Sequence, residues 1–265
     1  MRSWYRIGRI SFEPVELIKI ILIILLAKYF SLRHIELYRL RHIFLSGFYV
    51  LLPALLIFFQ PDMGQIFILF ALWIGILLVS GIKLRHFLFL LSLFVLILIF
   101  AWLFVLKDYQ KARVVSFIKP HVEPLGVGWS QRQAKIAIAS GGILGKGIGQ
   151  GSQVQLGFLP EAQTDFIFSA LAEETGLLGI SFIFLLFSLL FWRIIKIAQE
   201  SEDNFSRLFA SGFSFLLATQ IFINVGTNLG LLPVIGISLP LVSYGGSNLI
   251  ATFLGIGILQ SIRTH

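Results

Sequence analysis

The chain contains no cysteine, which excludes a disulfide framework, thiolate chemistry and any cysteine-based metal site. Charge is scarce as well. Only 13% of the 265 residues are Asp, Glu, Lys or Arg, against about 25% in an ordinary soluble domain. Internal repeats, low-complexity tracts and a second soluble domain are also lacking. What replaces the missing charge is apolar: 57% of residues are hydrophobic, 27 of them Phe, and the mean hydropathy is +0.90. One aqueous core cannot hide that much apolar surface, so lipid is the solvent. A formal net charge of +8 raises nucleic acid as a partner. The basic residues, however, flank apolar runs or lie in one long polar segment, as in membrane proteins. The bilayer's anionic head groups or a phosphorylated lipid are therefore the expected partners, and nucleic acid is not.

A bilayer-crossing helix needs about 20 mostly apolar residues. That window predicts about seven spans, near 14–31, 42–59, 64–82, 86–106, 166–193, 206–226 and 245–263. Lys28, Arg33, Arg39 and Arg41 follow the first span, and Lys83 and Arg85 the third. Arg193, Lys196 and Arg207 follow the fifth, and Arg263 the last. All four clusters fall on one side, which the positive-inside rule makes cytoplasmic. The long segment 107–165 then faces outward. The same count places the N-terminus outside although Arg2, Arg6 and Arg9 precede the first span. Such an end does not cross a membrane unaided, and the expectation is a chain that lacks upstream helices.

Within the long segment, Gly141, Gly142, Gly145, Gly147, Gly149 and Gly151 crowd together. A phosphate loop needs Gly-Lys followed by Ser or Thr, whereas Gly147 follows Lys146. A dinucleotide fingerprint needs a strand and crossover unit, which the pattern does not offer. A tight turn with backbone close to a neighbour or ligand is the better reading. Ionisable groups at the edges of spans mark functional candidates. Asp62 and Asp165 each precede a helix, where capping competes with a role in chemistry. Glu16 and Lys19 share a helix face, as an internal ion pair or as groups facing substrate. Glu173, eight residues beyond Asp165, lies about 80° round an ideal helix from it, and Glu174 about 180°. The stretch from Asn224 to Gly246 holds Pro233, Pro240 and several glycines. It reads as a re-entrant segment beside a cavity, compatible with transport or catalysis.

These segments together resemble one family. Pro14-Val15-Glu16-Leu17-Ile18-Lys19, Gln60-Pro61-Asp62-Met63-Gly64 and Asp108-Tyr109-Gln110-Lys111 are followed by Lys135-Ile136-Ala137-Ile138-Ala139-Ser140-Gly141-Gly142 and Gly157-Phe158-Leu159-Pro160-Glu161. Thr164-Asp165-Phe166-Ile167-Phe168, Glu173-Glu174 and Leu239-Pro240-Leu241-Val242-Ser243-Tyr244-Gly245-Gly246-Ser247 complete the set. In this order they resemble the SEDS proteins of bacterial shape, elongation, division and sporulation, the RodA branch more than the FtsW branch. The likeness covers essentially the whole chain, read as one membrane domain over 1–265 with an extracytoplasmic loop at 107–165. Gln163, Val15, Gln65 and Ser238 depart from the usual His, Ser, Thr and Pro.

The resemblance implies an all-α polytopic helix bundle of about ten helices, roughly three more than are found here. It implies a peptidoglycan glycosyltransferase that polymerises lipid II at the outer face of the bacterial cytoplasmic membrane during elongation. A class B penicillin-binding protein would be its partner. Asp165 falls on the family's presumed catalytic aspartate, a general base for the acceptor hydroxyl. Substrate contacts are expected from Glu16, Lys19, Asp62, Arg113, Arg132, Lys135, Lys146, Glu161, Glu173, Ser243 and Tyr244. The departing diphosphate calls for Arg, Lys or a divalent cation, Mg or Mn. A lipid II flippase and a non-catalytic scaffold are the competing expectations.

Overall fold

The computed structural model describes residues 5–7, 10–33, 40–60, 62–105, 111 and 127–264. Helices dominate: α1 (Pro14–Arg33), α2 (Leu40–Phe58), α3 (Met63–Val79), α4 (Leu84–Phe100), α5 (Val127–Gly141), the single-turn α6 (Ser152–Gln155), α7 (Ile167–Glu200), α8 (Asn204–Leu229) and α9 (Gly246–Thr264). A π-helical turn, Ala101–Val105, prolongs α4. Each of the seven expected spans coincides with a helix. Arg41–Phe58, Ile167–Glu200 and Asn204–Leu229 are long and apolar enough to cross a membrane by length and composition, while Met63–Val79 and Leu84–Leu96 are shorter apolar helices. The protein is thus a helical, multi-pass membrane protein. Not foreseen was a small antiparallel hairpin, β1 (Tyr5–Ile7) with β2 (Ile10–Phe12), ahead of α1.

The chain forms two compact units. The first comprises 1–82, 184–222 and 237–265. In it α1 packs on α2, α3 and α9, and α2 on α3. Pro14 opens α1 at a position where its missing N–H costs nothing, and Glu16 in the first turn favours the helix dipole. The Asp62 carboxylate caps α3 by accepting the Gln65 N–H at 3.2 Å, so the capping role holds. The same helix ends on Gly81, at φ 86°, with the Ile82 N–H reaching back to the Leu77 carbonyl. Ile23, Leu26, Phe30, Ile68, Leu72, Phe209 and Phe213 are completely buried and form its core. Phe209 and Phe213 stack with centroids 6.4 Å apart, and the Trp73 indole N–H donates to Ser46 Oγ at 3.0 Å.

The second unit comprises 83–183 and 223–236. Its core gathers Ala134 of α5, Leu159, and Phe166 and Ala170 around the start of α7. Further along, Phe168, Ala172 and Ile180 cluster with Ile138 and Val225. Helix α7 breaks within this unit at Gly176, whose φ of 66° and ψ of −165° suit glycine alone. The break frees the Glu173 and Glu174 carbonyls and the Leu177 and Leu178 amides. The glycine-rich loop after α5 takes up all four. Lys146 and Gly147 N–H donate to the Glu173 and Glu174 carbonyls at 3.0 Å each. In return Leu177 and Leu178 N–H donate to the Gly142 and Ile143 carbonyls at 2.9 and 3.2 Å. The loop is therefore spliced into the helix. A Cβ on Gly145 would lie 2.2 Å from the Glu174 carbonyl oxygen, which explains why this contact requires glycine. The cluster of glycines is a backbone-to-backbone joint, as its sequence suggested.

Candidate functional site

In the second unit Asp165 is half-buried and stands two residues ahead of α7. A tight turn leads into it: the Thr164 and Phe166 N–H groups both donate to the Glu161 carbonyl at 3.2 Å, with Glu161 at φ 48°. The exposed Glu161 carboxylate accepts the Thr164 hydroxyl at 3.1 Å. From α8, the side-chain amides of Asn224 and Asn228 each donate to the Asp165 backbone carbonyl at 3.0 Å. Asn228 Oδ1 accepts the Ser169 N–H at 3.1 Å and its hydroxyl at 2.6 Å. Both asparagines are almost fully buried. The irregular segment after α8 then brings Gly236, at φ 75°, beside the carboxylate, where a Cβ would lie 3.7 Å from Asp165 Oδ2. That segment is held by Gln131 of α5, whose buried amide donates to the Thr227 and Leu232 carbonyls at 3.1 and 2.8 Å.

Arg132 and Lys135 follow Gln131 on α5 and are exposed. The end of the Lys135 side chain, Cε and Nζ, lies across Gly230, at φ 73°, in space that a Cβ there would occupy. Lys146 is placed differently. Its ammonium meets Glu173 Oε1 at 2.7 Å and Ser152 Oγ at 2.8 Å. Glu173 is completely buried and also accepts the Ser152 hydroxyl and the Gln153 N–H, both at 3.1 Å. It thereby caps α6 from another helix, since Gly151 offers that helix no side-chain cap. Arg113 lies outside the described residues.

In the first unit, Lys19 and Glu16 form a buried ion pair at 2.6 Å, with side chains 1% and 5% exposed. Gln65 Nε2 reaches both Glu13 Oε1 at 3.3 Å and Glu16 Oε1 at 3.4 Å, while its own Oε1 is buried without a hydrogen-bond partner among the described residues. The Glu13 N–H donates to Ser247 Oγ at 2.9 Å. Burial, then the Glu16 carboxylate, pushes the Glu13 carboxyl up to about 7. Ser243 Oγ accepts the Leu239 N–H at 2.7 Å, bracing a turn at Leu241, φ 64°. Tyr244 is 78% exposed. Asp165 and Glu16–Lys19 are thus each embedded in polar networks within their own units. Sequence reasoning missed Asn224 and Asn228 as partners of Asp165, Gln131 as the anchor of the loop, and Glu13 with Gln65. Two amides one helical turn apart inside an apolar helix were the available signal for the first pair.

A family model for cell cycle proteins of the FtsW, RodA and SpoVE type matches residues 1–265. The chain belongs to this family. It is 40% identical over 267 residues to the peptidoglycan glycosyltransferase MrdB of Escherichia coli (strain K12), covering 100% of this chain and 71% of that protein. It is 38% identical to the stage V sporulation protein E of Bacillus subtilis (strain 168), covering 100% of this chain and 72% of that one. Among solved structures, one chain of a peptidoglycan synthase complex in which polymerization and crosslinking are coordinated superposes with a TM-score of 0.83 at 34% identity. That match covers 99% of this chain and 73% of the other. The rod shape determining protein RodA of Thermus thermophilus matches with a TM-score of 0.68 at 32% identity, covering 99% and 69%. The expected family membership and fold class therefore both hold.

Proposed function

We propose that this FtsW/RodA/SpoVE-family protein is a peptidoglycan glycosyltransferase that polymerises lipid II at the outer face of the bacterial cytoplasmic membrane, with Asp165 as general base. The relatives named for glycosyl transfer supply the reaction class. The observation that carries the residue assignment is the setting of Asp165: a half-buried carboxylate whose own backbone is pinned by two buried amides. Asp165 takes the proton from the acceptor sugar hydroxyl as that oxygen bonds to the donor's anomeric carbon. The bond from that carbon to the lipid diphosphate breaks with inversion, and the diphosphate leaves with the electron pair.

Arg132 and Lys135, exposed on α5, are the described cations best suited to the departing charge. Lys146 is less suited because its ammonium is committed to Glu173. A divalent cation would supply the same neutralisation. Among the described residues, no three His, Cys, Asp or Glu side chains stand close enough to hold one. A class B penicillin-binding protein is the proposed partner that crosslinks the new strands.

The test is polymerisation of fluorescent lipid II by the purified protein with its partner in liposomes. Loss of glycan polymer in Asp165→Ala and Asp165→Asn, in protein that stays folded, is the expected result. Undiminished polymerisation by Asp165→Asn overturns the base assignment. Lipid II crossing the bilayer without any polymer would instead establish a flippase.

A further inference from the structure

In an uninterrupted helix the Asp165 carbonyl would accept the Ser169 N–H four residues on. Here the carboxamide of Asn228 stands between them. Its Nδ2 donates to the Asp165 carbonyl at 3.0 Å and its Oδ1 accepts the Ser169 N–H at 3.1 Å. One helical hydrogen bond has been replaced by two that run through a side chain. Insertion of this kind splays a helical turn. Backbone partners fix the orientation of the amide: its nitrogen faces the carbonyls of Asp165 and Asn224, the latter at 2.8 Å, and its oxygen faces an N–H. Asn224, one turn earlier on α8, adds a second donor to the same carbonyl.

We propose that Asn228 and Asn224 are positioning residues: their amides hold the peptide of Asp165 off the end of α7 and so fix where its carboxylate stands. The proposal rests on the reading of Asp165 as the base. With the peptide plane held at its oxygen, the carboxylate keeps only its two side-chain torsions. Without the wedge, the Ser169 N–H and the Asp165 carbonyl are free to bond directly. Helix α7 would then extend back by one residue and carry the carboxylate with it. Both amides meet Asp165 at its backbone carbonyl, so they act on the carboxylate through the peptide.

The decisive variant is Asn228→Asp, which keeps the size and the acceptor toward Ser169 but replaces the donor toward Asp165. Displacement of a reacting group by about 1 Å costs on the order of 100-fold in rate. Asn228→Asp is therefore expected to lower kcat for lipid II polymerisation by about 100-fold, with KM changed less than about twofold. Asn224→Ala should lose about tenfold. A second readout needs no activity. The chain has no cysteine, so Asp165→Cys gives a single thiol, and adding Asn228→Asp should change its maleimide labelling rate at least about threefold. Unchanged kcat and unchanged labelling in folded Asn228→Asp overturn the clamp. Full activity in Asp165→Asn sinks the base reading itself, which separates the two failures. Should Asn228→Asp not fold, Asn224→Ala carries the same test with the same opposing outcomes.

Discussion

Removing the Lys146 ammonium should destabilise the protein more than removing the Glu173 charge, and the structure sets the asymmetry. Glu173 is completely buried, whereas the Lys146 side chain is 30% exposed. Lys146→Met strands a carboxylate without its cation at a site water does not reach. Breaking a buried pair this way costs about 3–5 kcal/mol. The Ser152 hydroxyl and the Gln153 N–H continue to donate to the carboxylate, so the lower end, about 3 kcal/mol, is expected. Glu173→Gln leaves an amide oxygen that still accepts from Gln153, and the partly exposed ammonium can turn to solvent. Its cost is that of one or two weakened hydrogen bonds, about 1–2 kcal/mol. In a chain of this size 1 kcal/mol corresponds to roughly 2–4 °C in Tm. Thermal unfolding in one fixed detergent should therefore fall by roughly 6–12 °C for Lys146→Met and by roughly one third to two thirds of that for Glu173→Gln. The double variant should cost less than the sum, because the stranded charge is gone. Equal losses, or a larger loss for Glu173→Gln, would refute the reasoning. A raised KM for lipid II at unchanged Tm in Lys146→Met would return that lysine to the substrate.

Gly176→Ala forces a Cβ to within 2.3 Å of the Gly145 nitrogen, at a φ of 66°. Backbone strain of about 1–3 kcal/mol adds to weakened splice bonds. The expected outcome is a lower Tm together with faster hydrogen exchange at the amides of Lys146, Gly147, Leu177 and Leu178. Exchange unchanged at those four positions would contradict the splice. Glu13 binds its proton more tightly when folded, at about 7 against 4.5 unfolded. Between those values the folded state holds more protons, so stability falls as pH rises from about 4.5 to about 7. After allowance for partial exposure the loss is on the order of 2 kcal/mol. Glu13→Gln should abolish that slope in pH-dependent unfolding, and a wild-type slope in the variant would count against it.

Much of the architecture was legible because lipid imposes a simple code. A run of about 20 apolar residues can do little but span, and each expected span is a helix. Asp62 was legible as a cap because capping is local: the acceptor and its amide are three residues apart. Crowded glycines signalled close backbone approach for the same reason, since the lack of a Cβ is visible in sequence. The N-terminal hairpin escaped notice because three-residue strands leave no periodicity.

What lay beyond the sequence were partners distant in the chain. The broken α7 and its loop exchange hydrogen bonds over about thirty residues. Asp165 and Asn228 are 63 residues apart, and Glu13 and Gln65 are 52 apart. Sequence by itself determined which segments are apolar helices and which carboxylate deserved attention, through composition and resemblance. Only the tertiary structure decided that Lys146 belongs to Glu173 and that the backbone of Asp165 is held by two asparagines. Buried donors and acceptors must find partners wherever the chain brings them, and that pairing is a property of the packed molecule.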